Sequence, residues 1–106
     1  MAGVKYDVGK LRYDLIPPEV LEALASVLTH GADKYGDDNW KDGIQYNRVY
    51  AALERHLQDW RKGNLIDKDS ELPAIWHVLA NICFLVYFES KQDKYENFIM
   101  RWRVEE

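Results

Sequence analysis

The most hydrophobic part of the chain is the 17-residue segment 72–88, LPAIWHVLANICFLVYF. Its apolar residues fall on every side of a helical wheel, and a helix of that kind lies in a protein interior or in a membrane. The segment contains His77 and Asn81, and it is short for a lone bilayer span, which needs about 20 apolar residues. The pattern therefore predicts the central helix of a helical domain.

Two polar residues stand in the middle of this central helix. His77 and Asn81 are four residues apart, so they lie on the same helix face. Burial of a polar group without a hydrogen bond costs about 1–3 kcal/mol, so each side chain needs a partner. That partner is either another side chain or a ligand, and the sequence leaves both possibilities open.

A second helix is predicted over residues 47–62, with Asn47 as its N-cap. His56 falls within its inward apolar stripe, and Asp59 lies at the edge of that stripe. A lone inward histidine is more often a hydrogen-bonded core residue than a ligand. A second inward histidine, His77, favours a shared site.

Helical spacing also predicts a first helix over residues 18–30 and a short amphipathic helix after residue 88. The outer face of the first helix carries Glu19 and Glu22, a pair that can hold a cation but is more often a solvated face. Four apolar residues predict the terminal helix: Tyr95, Phe98, Ile99 and Trp102.

Three polar segments join or precede these helices. Segment 3–18 alternates cations with aspartates and tyrosines, and it is either a solvated tail or an arm that brings cations to an anion; its apolar residues favour a docked arm. Loop 31–43 combines lysine, aromatic and glycine residues, which suits phosphate contact and base stacking but also an ordinary loop. The acids of loop 64–71 either bind Mg²⁺ or Ca²⁺, or cap the central helix through Asp69 or Ser70.

Length and composition predict one globular domain over residues 1–106. The helical spacing makes this domain all-α, a small helical bundle with an irregular N-terminal arm. The net charge of −4 disfavours a binder of nucleic-acid polymers or anionic membranes. The N-terminus has no apolar signal region, which predicts a cytoplasmic protein. The single cysteine, Cys83, excludes a disulfide framework.

In four stretches, taken in order, the chain resembles the phage-associated dATP/dGTP diphosphohydrolase N-terminal domain family: KYDVGKLRYDLIPPEVLEAL, THGADKYGDDNWKDG, YAALERHLQDWRKG and LPAIWHVLANICFL. The resemblance implies a MazG-like, oligomeric pyrophosphohydrolase. Such an enzyme cuts (deoxy)purine nucleoside triphosphates between the α and β phosphates, with Mg²⁺ or Mn²⁺, in the host cytoplasm. The MazG signature of E-x-x-E and a later E-x-x-D is not reproduced, so a noncatalytic nucleotide- or protein-binding module of the same fold stays open.

The reaction implied by the resemblance needs stabilised phosphate charge, an activated water and a grip on the base and sugar. The expected phosphate contacts are Lys5, Lys10, Arg12, Lys34 and Arg55. The expected catalytic residues, as base or hydrogen-bond orienter, are His56 and His77. The expected metal ligands are Asp59 and Asp67. The expected purine contacts are Tyr35, Trp40 and Asn81.

Overall fold

A computed structural model describes residues 2–98. Over these residues the chain is all-α, as the sequence predicts, and forms no strand beyond an isolated bridge between Ile66 and Pro73. The α-helices of this part of the chain are α1 (Pro18–Tyr35), α2 (Tyr46–Arg61), α3 (Ala74–Ser90) and α4 (Gln92–Tyr95). Two 3-10 turns, Tyr13–Leu15 and Asn39–Asp42, precede α1 and α2.

The helix ends follow the prolines and glycines closely, with one exception. Helix α1 begins at Pro18, but it continues through Gly31 to Tyr35. Its C-cap is Gly36, whose φ of 95° no ordinary residue adopts easily. A glycine inside a helix costs only about 1 kcal/mol, which packing of the flanking turns offsets. Helix α2 stops before Gly63, as predicted, but its N-cap is Gln45 and not Asn47.

Helix α3 packs against both α1 and α2 and is the centre of the bundle. Its buried residues are Ala74, Val78, Ala80, Asn81 and Phe88. It is not buried on every side, because Ile75, Ile82 and Val86 are 40%, 45% and 63% exposed. The prediction of an all-round buried helix is therefore wrong for a single copy of the chain. No helix within residues 2–98 has the length and apolarity to span a bilayer.

An aromatic cluster closes the end of α3 that lies away from His77. Phe88 and Tyr95 are almost fully buried there, and Trp40 packs on Phe84 with ring centroids 4.8 Å apart. The Tyr95 hydroxyl donates a hydrogen bond to the Lys41 carbonyl at 2.6 Å, which ties α4 to the loop before α2. Two residues of the predicted terminal helix, Ile99 and Trp102, lie outside the described part of the chain.

The N-terminal arm is irregular, as predicted, but it is not docked on the part of its own chain that the structure describes. Residues 2–12 form no helix, and Lys10 N–H closes a turn on the Asp7 carbonyl at 3.0 Å. Val4, Val8 and Leu11 are 78%, 102% and 78% exposed. The prediction of a docked arm is wrong for the chain taken alone.

Candidate functional site

The described residues form a wide groove of about 1440 Å³ between the C-terminal half of α1, the loop 36–45, α2 and α3. All three histidines of the chain line it, together with Asp67 and Asp69. Its cationic lining residues are Lys34, Lys41, Arg48 and Arg55. These four cations are matched in number by four lining aspartates, Asp37, Asp38, Asp67 and Asp69. The groove therefore places ammonium and guanidinium groups, which bind phosphate oxygens, among titratable groups.

The floor of the groove is a stacked pair of imidazoles. The rings of His56 and His77 are nearly parallel, with centroids 4.5 Å apart and planes at 14°. Asp67 faces both rings: its Oδ1 lies 3.8 Å from His56 Nδ1, and its Oδ2 lies 3.8 Å from His77 Nε2. The structure thus brings together three residues that the sequence singled out: His56 from α2, Asp67 from the loop 64–71, and His77 from α3.

The loop between α2 and α3 holds the Asp67 carboxylate by backbone hydrogen bonds. Asp67 N–H donates to the Leu72 carbonyl at 2.8 Å, and Glu71 N–H donates to the Asp67 carbonyl at 2.9 Å. Glu71 has a φ of 62°, so the chain reverses sharply there. The Ser70 N–H then donates to Asp67 Oδ2 at 2.9 Å. This closed turn fixes the carboxylate beside the two rings.

The hydroxyl of Ser70 links Asp67 to His77. It lies 2.9 Å from Asp67 Oδ2 and 2.6 Å from His77 Nε2, and it accepts the Leu72 N–H at 3.2 Å. A hydroxyl has one proton, and an ionised carboxylate can only accept, so we assign this proton to the bond with Asp67. This assignment makes His77 the donor from Nε2 and leaves the lone pair on Nδ1.

Ser70 has a different role from the one expected from sequence. It does not cap α3, whose N-cap is Pro73, and no side chain makes a capping bond at that helix. The signal that could have identified it is its position three residues after Asp67, because an aspartate commonly accepts hydrogen bonds from residues just beyond it in a turn.

Burial and neighbouring groups set the charges at the floor. Burial lowers the pKa of His77, and the nearby His56 lowers it further, while Asp67 partly offsets both. For Asp67, burial raises the pKa, but the backbone and side-chain hydrogen bonds from Ser70, together with the electrostatic effect of His77 and His56, outweigh burial and lower the pKa overall. The floor therefore holds a neutral His77 beside an ionised Asp67 at neutral pH. The Nδ1 atom of His56 is buried and has no hydrogen-bond partner among the described residues.

One rim of the groove carries a cation that is already oriented. Lys34 Nζ lies 3.2 Å from Asp69 Oδ2 and 5.3 Å from the centroid of the Tyr35 ring. His30 Nε2 lies 3.8 Å from the same Asp69 oxygen. His30 was not expected from sequence, although its position one turn before Lys34 on α1 places both on one face.

Two of the expected purine contacts are committed to other interactions. The Trp40 ring also packs edge-on against Tyr87 at 5.0 Å, so it belongs to the aromatic cluster and only borders the groove. The side-chain amide of Asn81 donates to the His77 carbonyl one turn earlier, at 2.8 Å. Tyr35, 63% exposed, is the expected stacking residue that remains accessible, and Arg55 is exposed on the groove wall.

Several other expected residues lie away from the groove. Lys5, Lys10 and Arg12 do not line it, and Arg12 forms a two-bond ion pair with Asp14 at 2.9 and 2.7 Å. Asp59 does not line it either. Within residues 2–98, no three His, Cys, Asp or Glu side chains are arranged to hold a metal ion. The geometry therefore does not support a metal site built from Asp59 and Asp67.

Comparison with known proteins gives the family of the chain. Residues 1–97 match the family model described as dATP/dGTP diphosphohydrolase, N-terminal. A protein of Salmonella phage PMBT28 named dATP/dGTP diphosphohydrolase is 34% identical over 87 residues, which cover 82% of this chain and 30% of that relative. The chain thus spans about a third of the relative's length, and no solved structure matches it significantly. The chain belongs to the dATP/dGTP diphosphohydrolase N-terminal family.

Proposed function

We propose that the groove binds a (deoxy)purine nucleoside triphosphate and that the chain hydrolyses it to the monophosphate and pyrophosphate. The observation that carries this proposal is the convergence of His56, Asp67 and His77 on the floor of a groove whose walls carry lysine and arginine side chains among aspartates. Membership of the family and the name of the phage relative support the same substrate class. A MazG-like form of the all-α fold is part of the proposal.

His77 is the proposed general base. It is neutral and carries its lone pair on Nδ1, so it can take a proton from a water molecule as that water attacks the α-phosphorus. A new bond forms between the water oxygen and the α-phosphorus, and the bond to the bridging oxygen of the pyrophosphate breaks. Asp67 stabilises the imidazolium that results, and His56 holds the His77 ring by stacking on it. Lys34 and Arg55 offset the charge that develops on the phosphates.

The divalent ion implied by the resemblance is not matched by a resident site. Asp67 already accepts two hydrogen bonds from Ser70, and the described residues provide no cluster of three ligands. Mg²⁺ is commonly held by one or two carboxylates together with substrate phosphates. We therefore treat Mg²⁺ or Mn²⁺ as part of the substrate, entering as the metal–nucleotide complex.

Release of pyrophosphate from dGTP and dATP, with Mg²⁺, with Mn²⁺ and with a chelator, tests this function. The His77→Gln variant is expected to lose about 10²- to 10⁴-fold in kcat, the usual contribution of a general base. Lys62→Ala is the matched control, because Lys62 is exposed and does not line the groove. The proposal fails if the wild-type chain releases no pyrophosphate at high enzyme concentration, or if His77→Gln matches the control.

A second candidate is a noncatalytic nucleotide-binding module of the same fold. It is favoured by the position of Glu19 and Glu22, which are exposed and do not line the groove, so the E-x-x-E pair of this chain does not contribute to the site. A ligand selective for the native state stabilises it by about 2.7 kcal/mol at one hundred times its Kd. A thermal shift with dGTP that persists in chelator, together with no pyrophosphate release, would support this module over the enzyme.

A further inference from the structure

We propose that the N-terminal arm, residues 3–16, acts on a second copy of the chain, where it lies over the groove and brings Lys10 and Arg12 to that copy's ligand. The identity of the ligand rests on the proposed function, but the docking of the arm does not. The occupant of the groove mouth is thus a segment of this chain, supplied by the partner copy.

The arm exposes a large apolar surface. Seven large apolar or aromatic side chains of the arm are 43–102% exposed. Full burial of one such side chain contributes about 1.5–3 kcal/mol. A segment of this composition is stable in contact with another surface, and residues 17–98 of its own chain do not provide that contact.

Helix α3 carries an exposed apolar stripe formed by Ile75, Ile82 and Val86. Spacings of seven and four residues place the three side chains in one line, as in a helix–helix seam. A seam of this kind is self-complementary and suits pairing across a two-fold axis. With roughly 60 Å² of exposed apolar area for each side chain, the arm and the stripe give ~600 Å² per copy, close to the ~800 Å² per partner of a standard interface.

The arm is too short to reach the groove of its own chain unless it runs straight along α1. His30 and Lys34 lie 12 and 16 residues beyond Pro18 on α1, about 18 and 24 Å along its axis at 1.5 Å per residue. The backbone from Arg12 to Pro18 contains the Tyr13–Leu15 turn and spans roughly 16 Å at most. In its own chain the arm would have to run straight along α1, and its exposure shows no such contact. An antiparallel two-fold pair brings the arm of one copy beside the far end of α1 of the other.

The groove is larger than a nucleotide alone requires. Its volume of about 1440 Å³ exceeds the ~300–1,000 Å³ of usual small-molecule sites. A nucleotide alone would leave the mouth open to water, whereas phosphate chemistry benefits from a closed site. A polypeptide segment beside the nucleotide would fill the remaining space.

A cross-linking experiment tests the docking without any activity measurement. The Val8→Cys and Asn47→Cys substitutions are combined in a Cys83→Ser background, since Val8 lies in the arm and Asn47 lines the groove. A short bismaleimide is expected to give a covalent dimer of about twice the 12.5 kDa chain. Val8→Cys with Lys62→Cys is the control and is expected to give none. A cross-link within one chain, no cross-link, or a monomer in sedimentation at micromolar concentration overturns the proposal.

A complementation experiment tests the contribution of the arm to the site. The Lys10→Glu/Arg12→Glu variant has a defective arm and the His77→Gln variant a defective groove, and each is expected to be inactive alone. Equal amounts of the two variants are mixed and their subunits are allowed to exchange. Half of the dimers then contain one subunit of each variant, and each of these dimers has one complete site out of two. About a quarter of wild-type activity therefore returns. A mixture no more active than its components overturns the action in trans. If wild-type protein itself is inactive, the proposed function fails, and the cross-link alone decides the docking.

Discussion

The Ser70→Ala substitution tests the hydrogen-bonded floor of the groove. It removes the hydroxyl that donates to Asp67, faces His77 Nε2 and accepts the Leu72 N–H. The net value of a hydrogen bond is about 0.5–1.5 kcal/mol, and more when one partner is charged. The site is only partly buried, so water replaces some of the lost contacts. We expect a loss of about 2 kcal/mol in the free energy of unfolding, which corresponds to a Tm lower by roughly 10 °C.

Urea denaturation followed by tryptophan fluorescence measures this loss. Ser90→Ala is the matched control, because its hydroxyl donates to the Tyr87 carbonyl at 2.6 Å in an exposed position, and its removal is expected to cost a few tenths of a kcal/mol. Nitrogen NMR of the imidazole gives a second readout. The Nε2-protonated form of His77 dominates in wild type and becomes mixed in Ser70→Ala. Equal stability of the two variants, with an unchanged His77 tautomer, would refute the assignment of Ser70.

Two further predictions concern a glycine and the histidine on the groove floor. Gly43→Ala is expected to cost about 1–3 kcal/mol more than Gly36→Ala in thermal unfolding: both glycines have positive φ, but only at position 43 would a Cβ meet the Phe98 ring, at 2.7 Å. Equal losses would show that the ring moves aside. Because the pKa of His77 is lower in the folded than in the unfolded chain, the unfolded chain binds the extra proton first. Stability therefore falls as the pH drops below about 6.5, and the fall is smaller in His77→Gln, measured as urea midpoints from pH 8 to 5.

Helix positions were predictable because their signals are local. Pro18 sets the start of α1, and Gly63 sets the end of α2. The end of α1 was missed because a glycine inside a helix and a glycine after one look alike in sequence, and only the backbone conformation separates Gly31 from Gly36. The α3 stripe shows a different limit. Periodicity identifies apolar faces, but it does not say whether the same chain or another copy covers them.

The groove floor was partly predictable because its residues lie on neighbouring elements of the chain. His56 and His77 each face inward on neighbouring helices, and Asp67 lies in the loop between those helices, so their meeting follows from the fold. Ser70 was not predictable as a partner of His77, because its role depends on where one hydroxyl proton points. Neither was the position of the arm, whose composition suggested docking but whose apolar side chains are exposed among the described residues of its own chain.

The proposed chemistry and the proposed binding are built from different parts of the chain. The base, its carboxylate and Ser70 all belong to one helix–loop–helix unit, residues 46–90, whose turn is closed by its own backbone hydrogen bonds. Of the proposed phosphate contacts, Arg55 belongs to this unit, whereas Lys34 comes from α1 and Lys10 and Arg12 come, as proposed, from a second copy. A unit with short-range contacts forms its geometry whether or not copies pair, whereas the contacts of Lys10 and Arg12 with the phosphates depend on assembly. Dilution of the protein should therefore weaken nucleotide binding before it disturbs the imidazole pair.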